Sequence, residues 1–232
     1  MKQLQASLVT LEALTPAVYR VELELAERIQ FAGGQYLQVV MGDNDKRPFS
    51  IASCPGETDL VELHIGATAD NAYAMEVIER LQQQGELLVE LPLGEASYRG
   101  DSERPLILIA GGTGFSYAWS ILQAHLASAS ERPVSLYWGA RRPEDLYLDA
   151  ELQALAAEHS QLNYRPVVEE AESGWHGAIG LVHHTVMVEQ PEFAKADVYV
   201  AGRFEMVRVI RDDFNARGLP LDNLYGDALA FI

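Results

Sequence analysis

The amino-acid sequence predicts two domains of different class, an antiparallel β-barrel or sandwich followed by a parallel α/β sheet. The first observation is a series of short segments with β-branched residues, separated by turn residues, in the first part of the chain. The second is a polar stretch, residues 98–105, which marks the best domain boundary. The third is the alternation of strand and helix patterns beyond that stretch, which predicts a parallel sheet covered by helices on both faces.

The first domain contains five predicted strands and one predicted helix. The strands cover residues 4–14, 18–25, 36–41, 60–65 and 87–91, and several of them alternate between apolar and polar residues. The helix covers residues 71–84 and ends at Gly85, and its spacing places one apolar stripe on a single face. That stripe consists of Ala74, Val77, Ile78 and Leu81.

The second domain alternates four predicted strands with four predicted helices. The strands cover residues 106–110, 134–138, 163–168 and 197–201, and the helices cover residues 115–127, 145–158, 181–188 and 204–216. Glycine-bearing loops follow three of these strands and begin at Gly111, Gly139 and Gly202. Because ligands of parallel sheets bind beyond the carboxyl ends of the strands, we expect a binding cleft at this edge.

The composition restricts the class of partner. The chain has 34 acidic and 17 basic residues, a net charge of -17, which argues against nucleic acid or an anionic membrane as partner. The one cysteine, Cys54, excludes an intramolecular disulfide and a cysteine-ligated zinc or iron–sulfur site. The chain opens without a signal-like segment and contains no apolar run of membrane-spanning length, so we expect a cytoplasmic location.

The turn between the apolar run at 106–110 and the following helical pattern is rich in glycine. It reads GGTG at residues 111–114, which allows a tight turn with the backbone close to a ligand. The free N–H groups and the dipole of the helix that follows favour an anion, most often a nucleotide phosphate. The dinucleotide pattern G-x-G-x-x-G and the P-loop lysine are both absent, so a nucleotide site and a simple tight turn both remain open.

The string RPFS at residues 47–50 is the most unusual local feature of the first domain. It suits the docking of a flat polar ring: Arg47 can donate to a phosphate or carbonyl oxygen, Phe49 offers apolar contact, and Ser50 can hydrogen-bond a ring nitrogen. The alternative is a loop and the start of a strand, with Arg47 solvated. The residues by themselves leave both interpretations open.

The six histidines lack the spacing of metal ligands, and no serine lies in a nucleophile-elbow string. We therefore expect no metal site, surface or capping roles for the histidines, and no hydrolytic nucleophile. The histidines are His64, His125, His159, His176, His183 and His184.

Six strings in a fixed order carry a family resemblance. They are FAGGQY at 31–36, RPFS at 47–50, LHIG at 63–66, GGTG at 111–114, YWGAR at 137–141 and AGRFEM at 201–206, and the ending YGDALAFI fits as well. The chain resembles the ferredoxin–NADP reductase superfamily and, within it, the bacterial NAD(P)H:flavin oxidoreductases, which include the luciferase-associated type. The resemblance implies a six-stranded antiparallel β-barrel for flavin at residues 1–99, a Rossmann-like domain for NAD(P)H at residues 100–232, and a monomer.

The resemblance also implies roles for individual residues. Ser50 would lie near the flavin atom that accepts hydride and is the implied catalytic residue. The implied flavin-binding residues are Arg47, Pro48, Phe49, Ser50, His64, Ile65, Gly66, Thr113 and Phe231. The implied nucleotide-binding residues are Gly111, Gly112, Thr113, Gly114, Phe115, Gly139, Arg141, Gly202, Arg203 and Phe204.

Two departures from the family pattern bear on the cofactors. Residues 66–73 lack the glycines and serines that hold the FAD pyrophosphate in relatives, and Asp70 would repel it, so we expect riboflavin, FMN or FAD to be a substrate that leaves after reduction. Ala201 stands where many relatives have a cysteine near the nicotinamide, which puts cysteine-assisted positioning in doubt.

The choice of nicotinamide nucleotide and the user of the reduced flavin stay open. Arg141 and Arg142 suit a ribose 2′-phosphate, and the sequence assigns no acidic residue to the ribose hydroxyl, so we expect both NADH and NADPH to be used. Reduced flavin would serve a monooxygenase, a luciferase or the reduction of ferric iron. The alternatives are a holo-flavoprotein that passes electrons to a ferredoxin or oxygenase, and a non-catalytic accessory subunit.

Overall fold

The computed structural model describes residues 1–68 and 71–232. The chain divides into two compact units, one of Met1–Tyr98 with Trp119–Ala124 and the other of Arg99–Ala118 with His125–Ile232. Among the described residues, no helix has the length and apolar character needed to cross a membrane.

The first unit is an antiparallel sheet of six strands with one helix. The sheet order is β4-β3-β6-β1-β2-β5. Helix α1, Ala72–Gln84, buries its predicted apolar stripe in the same core as the sheet and ends at Gly85, which has a positive φ of 71°. The strands are β1 Lys2–Thr15, β2 Val18–Phe31, β3 Tyr36–Gly42, β4 Asp45–Ser50, β5 Gly56–Gly66 and β6 Glu86–Leu93.

The two edges of this sheet meet and close it. Ile51, directly after β4, forms a bridge with Leu63 of β5, and the N–H of Ala52 donates to the carbonyl of Glu62 at 2.7 Å. These contacts join the two edge strands of the sheet order at one point, directly after Ser50. The predicted six-stranded antiparallel barrel is confirmed, and its interior holds apolar side chains such as Leu23, Leu37 and Ile65.

The second unit is a parallel sheet of six strands with the order β10-β9-β8-β7-β11-β12. The strand order reverses beside β7, so the carboxyl ends of β7 and β11 flank the topological switch point where doubly wound sheets bind ligands. The predicted parallel α/β fold is confirmed. The strands are β7 Leu106–Gly111, β8 Val134–Ala140, β9 Leu162–Val168, β10 Ala178–Ile179, β11 Asp197–Ala201 and β12 Leu224–Tyr225; the helices are α2 Phe115–Ala127, α3 Asp149–Glu158, α4 Val182–Glu189 and α5 Phe204–Ala216.

Helix α3 differs from its predicted bounds at its start. It begins at Asp149, and the preceding Pro143–Asp145 forms a short 3₁₀ turn. The side chain of Asp145 accepts a hydrogen bond from the N–H of Arg142 at 3.1 Å, which stabilises that turn separately from the helix.

The expectation of surface or capping roles is wrong for three of the six histidines. His64, His125 and His183 are buried. The ring of His125 pairs with the carbonyl of Arg132 at 2.9 Å, and the ring of His64 pairs with Glu62, so burial is balanced by a hydrogen bond in both cases. Within residues 1–68 and 71–232, no group of three or more His, Cys, Asp or Glu side chains is arranged to hold a metal ion.

Candidate functional site

Strand β4 carries the RPFS string at the closing edge of the barrel. Ser50 ends the strand opposite Tyr36, and both Phe49 and Ser50 are half-buried while Pro48 is exposed. The string was open to interpretation as a loop and strand start, whereas all four residues lie in a paired strand. Phe49 packs against the barrel core, and successive side chains of a strand alternate between its faces, so Ser50 is the side chain that a ring lying along this edge would meet.

Gln35 fixes the position of this strand end. Its side-chain oxygen accepts from the N–H of Ala32 at 2.9 Å, and its side-chain nitrogen donates to the carbonyl of Gly94 at 3.2 Å. Its own carbonyl accepts from the N–H of Ile51 at 3.0 Å. The FAGGQY string therefore stabilises the turn before β3 and holds the residue that follows Ser50.

Arg47 is buried and bound by groups of its own unit. Asp45 takes a bidentate pair of hydrogen bonds, from Nε at 2.9 Å and from Nη2 at 2.6 Å, and Glu76 accepts from Nη2 at 2.6 Å. Nη1 donates to the carbonyl of Tyr73, whose ring centroid lies 4.6 Å from Arg47 Cζ. The alternative of a solvated Arg47 is wrong, because the side chain is buried and its guanidinium forms ion pairs with two carboxylates.

This network changes the acid–base properties of its members. The hydrogen bond with Asp45, followed by that with Glu76, raises the pKa of Arg47 despite its burial. The same hydrogen bond lowers the pKa of Asp45. Asp45, Tyr73 and Glu76 were not recognised from the sequence, because two of them lie on α1 and become neighbours of β4 in the folded unit.

His64, Ile65 and Gly66 form the end of β5. His64 Nε2 lies 2.7 Å from Glu62 Oε1, and Arg20 Nε lies 3.7 Å from Glu62 Oε2. Burial opposes ionisation of Glu62, yet the hydrogen bond with His64 and the charges of His64 and Arg20 lower its pKa. Ile65 is fully buried in the barrel core and pairs with Tyr19 of β2.

In the segment 66–73, which we expect not to hold a pyrophosphate, the structure describes residues 66–68 and 71–73. Asp70 and its neighbour Ala69 lie outside the described residues. Within the rest of this segment, Asn71 precedes α1 and its side chain donates to the carbonyl of Gly66 at 3.3 Å.

The glycine turn of the second unit joins the ends of β7 and β11 at the switch point. A Cβ on Gly114 would lie 2.5 Å from the carbonyl oxygen of Ala201, and one on Gly111 would lie 2.7 Å from Met206 Sδ. A Cβ on Gly202 would lie 2.6 Å from Met206 Cε. Gly114 is therefore needed for the close approach of the turn to the end of β11, whereas the clashes at Gly111 and Gly202 are with the flexible end of the Met206 side chain.

The same turn keeps an open face for a ligand. Gly112 has a φ of +53°, and a Cβ there would meet no described atom within 4 Å. The ring of Phe115 is fully buried and stacks on Trp138 at 3.9 Å, and Trp138 Nε1 donates to the carbonyl of Gly112 at 3.0 Å. The hydroxyl of Ser116 is buried and has no hydrogen-bond partner among the described residues. The exposed backbone of Gly112, directly before α2, fits a polar ligand such as a nucleotide.

Arg141 and Arg142 lie beyond the end of β8 and share one carboxylate. Glu170 Oε1 lies 2.9 Å from Arg141 Nε, and Glu170 Oε2 lies 3.0 Å from Arg142 Nε. The hydrogen bonds from Arg142 and then Arg141 lower the pKa of Glu170. The sequence assigned no acidic residue to this position, because Glu170 becomes a neighbour through the parallel pairing of β8 with β9.

Phe204 and Phe231 form an exposed aromatic pair with ring centroids 6.2 Å apart. Arg203 directly precedes α5 and is exposed as well. The structure thus brings together one residue expected at the nucleotide and one expected at the flavin.

Comparison with known proteins identifies the family. The family model for the oxidoreductase NAD-binding domain matches residues 108–212. The NAD(P)H-flavin reductase of Aliivibrio fischeri is 45% identical, covering 96% of this chain and 97% of its own, and that of Vibrio harveyi is 42% identical, covering 99% of each chain. The ferredoxin reductase in carbazole 1,9a-dioxygenase has a TM-score of 0.84 at 25% identity, covering 97% of this chain and 68% of that one. The chain therefore belongs to the NAD(P)H-flavin reductase family.

Proposed function

We propose that this protein catalyses the NAD(P)H-dependent reduction of free flavins by direct hydride transfer and then releases the reduced flavin. The observation that carries the proposal is the 45% identity, along almost the full length of both chains, to a protein named NAD(P)H-flavin reductase. We assign the flavin to residues 1–99 and the nicotinamide nucleotide to residues 100–232. The proposal needs neither a partner protein nor a second copy of the chain.

The flavin ring would dock along β4. Phe49 and Ser50 are half-buried, and Ser50 is held at a defined strand end, which suits a hydroxyl that donates to the ring nitrogen accepting the hydride. Pro48, His64, Ile65 and Gly66 would shape the ring site. Thr113 and Phe231, which belong to the second unit of the chain, remain proposed flavin contacts.

Arg47 would support the ring site without holding a flavin phosphate. Its guanidinium is already bound by Asp45 and Glu76, so a phosphate would have to displace a carboxylate and would face the negative charge of the other. Recognition then depends on the ring, which riboflavin, FMN and FAD share. A flavin held by its ring is bound less extensively than one held also by its phosphates, which supports a flavin that leaves after reduction.

The nicotinamide nucleotide would bind at the switch point of the parallel sheet. The open backbone of Gly112 and the first turn of α2 favour its polar groups. The bound nucleotide supplies the hydride; the protein binds and orients it. Gly111, Thr113, Gly114, Phe115, Gly139, Gly202, Arg203 and Phe204 remain the other proposed residues of this site.

A holo-flavoprotein that passes electrons to a partner is the second candidate, since the ferredoxin reductase in carbazole 1,9a-dioxygenase shares the fold at a TM-score of 0.84. The two candidates differ in kinetics. Initial rates measured with varied NADH at several fixed riboflavin concentrations should give intersecting double-reciprocal lines, because both substrates must be bound together. Parallel lines would indicate a retained flavin and would contradict the proposal.

For reduced flavin released into solution, we propose a flavin-dependent monooxygenase, a luciferase or ferric iron as the user.

A further inference from the structure

Glu170 bridges two arginines at the ligand-binding edge of the parallel sheet. Each of its carboxylate oxygens pairs with one guanidinium, Arg141 at 2.9 Å and Arg142 at 3.0 Å. The side chain of Glu170 is 47% exposed, that of Arg141 is 70% exposed and that of Arg142 is 50% exposed, so a ligand can reach all three. The two arginines follow β8, one strand away from the glycine turn, and Glu170 follows β9, the next strand of the sheet.

The surroundings of the two arginines are acidic. Glu144 Oε1 lies 3.8 Å from Arg142 Nη1, and Asp145 accepts from the N–H of Arg142. Together with Glu170 these carboxylates outnumber the two guanidiniums, so the local charge is negative even though two arginines are adjacent in sequence.

NADH and NADPH differ in one group, the phosphate on the 2′-oxygen of the adenosine ribose. In doubly wound α/β domains, an acidic residue accepts a hydrogen bond from the free 2′-hydroxyl, whereas an arginine accommodates the 2′-phosphate. Both kinds of residue meet at this edge, the arginines after β8 and the glutamate after β9, and they bind each other. The nucleotide preference therefore depends on whether Glu170 keeps its ion pairs with Arg141 and Arg142 when a 2′-phosphate approaches.

We propose that Glu170 determines the nucleotide preference of this protein and directs it toward NADH. Its carboxylate accepts from the ribose 2′-hydroxyl while it holds Arg141 and Arg142, and it repels a 2′-phosphate that approaches the same guanidiniums. This inference rests on the proposed function, because it assumes that the nicotinamide nucleotide binds to this sheet edge.

Titration calorimetry with NAD⁺ and NADP⁺ tests the inference without relying on flavin reduction. The wild type should bind NAD⁺ about tenfold more tightly than NADP⁺ at low salt, where exposed charges are weakly screened. Glu170→Gln should strengthen NADP⁺ binding about tenfold and change NAD⁺ binding by less than about threefold, because it removes the repulsion and keeps a hydrogen-bonding group.

Glu169→Gln is the matched control, since it removes the same charge one residue away. In the described part of the chain, Glu169 forms no ion pair with either arginine, and the NADP⁺ to NAD⁺ affinity ratio should change by less than about twofold. The double variant Glu170→Gln/Arg142→Gln should lose most of the gain in NADP⁺ affinity, which assigns the gain to the freed guanidinium.

The outcomes separate this inference from the proposed function. An unchanged affinity ratio in Glu170→Gln, or a wild type that binds NADP⁺ more tightly than NAD⁺, would overturn the role of Glu170. Failure of the wild type to bind either nucleotide would overturn both. A shift in the ratio in a protein that reduces no flavin would support the role of Glu170 and overturn the proposed reaction.

Discussion

The guanidinium of Arg47 donates from Nη2 to the carboxylate of Glu76 at 2.6 Å, which connects strand β4 to helix α1 within the barrel unit. Asp45 accepts from Nε and Nη2 of the same guanidinium, and the carbonyl of Tyr73 accepts from Nη1. A buried arginine next to a proposed flavin site would ordinarily attract a phosphate, and here two carboxylates neutralise it. This neutralisation should therefore affect the binding of flavins that carry a phosphate more than the binding of riboflavin.

Glu76→Gln should strengthen FMN binding several-fold while leaving riboflavin binding nearly unchanged. The substitution removes one of two negative charges beside Arg47, so the phosphate of FMN meets less repulsion, whereas riboflavin has no phosphate. Dissociation constants from quenching of flavin fluorescence measure the effect. Glu79→Gln is the control, since Glu79 is an exposed carboxylate on the same helix. Equal changes for FMN and riboflavin would contradict the role of the carboxylates.

Ser50→Ala should lower turnover by about 10²-fold, the magnitude typical of losing one hydrogen bond to developing charge. Flavin affinity should change by less than about threefold, because ring stacking and apolar contacts remain. Stopped-flow measurement of the hydride-transfer step, with flavin binding measured separately, distinguishes the two effects. Ser50→Thr retains the hydroxyl and should recover part of the rate. A normal transfer rate in Ser50→Ala would rule out this role for the hydroxyl.

Gly114→Ala should destabilise the protein by about 1–3 kcal/mol, the usual cost of an added methyl group in a packed site. The new Cβ would lie 2.5 Å from the carbonyl oxygen of Ala201, a backbone atom that cannot move independently of its strand. Unfolding in urea measures the change. Gly42→Ala is the control, because a Cβ on Gly42 would meet no described atom within 4 Å, and its effect should stay within about 0.5 kcal/mol. Equal stability of Gly114→Ala and wild type would refute the close approach of these strand ends.

His125 should contribute to the loss of stability in acid. Burial of its ring lowers the pKa of His125 below the ordinary value of 6.5, although its hydrogen bond with the carbonyl of Arg132 opposes the shift. The unfolded chain therefore takes up the proton first, so this contribution is complete above pH 6.5 and declines as the pH falls toward the lower, folded-state pKa. The free energy of unfolding, measured from pH 8 to pH 5.5, should fall less steeply in His125→Gln than in the wild type. His176→Gln, at an exposed site, should reproduce the wild-type slope, and an identical slope in His125→Gln would disprove the contribution.

Local patterns predicted the features that depend on local physics. The alternation along β2, the stripe on α1 ending at Gly85, and the turn at 111–114 were all read correctly, because strand, helix and turn preferences act between residues close in sequence. The two-residue strands β10 and β12 were missed, since they are too short to show a period. The sequence thus predicted the fold class but not the short strands at the two edges of the parallel sheet.

Contacts between distant residues could not be predicted in the same way. The barrel closes through Ile51 and Leu63, and Arg47 finds Glu76 on a helix that follows another strand. Glu170 reaches Arg141 and Arg142 because parallel strands β8 and β9 align their carboxyl ends. Knowledge of the strand order would have placed Glu170 at this edge, so the missing information was the topology and not the chemistry of the residues.

NADH oxidation by gel-filtered protein, measured with and without added riboflavin, tests most directly whether the flavin is a substrate that is released. We expect a colourless protein that oxidises NADH when riboflavin is present and is inactive without it. A yellow protein that oxidises NADH with a dye acceptor and gains nothing from free riboflavin would contradict the proposed release of flavin. Such a result would instead indicate a retained flavin that passes electrons to a partner.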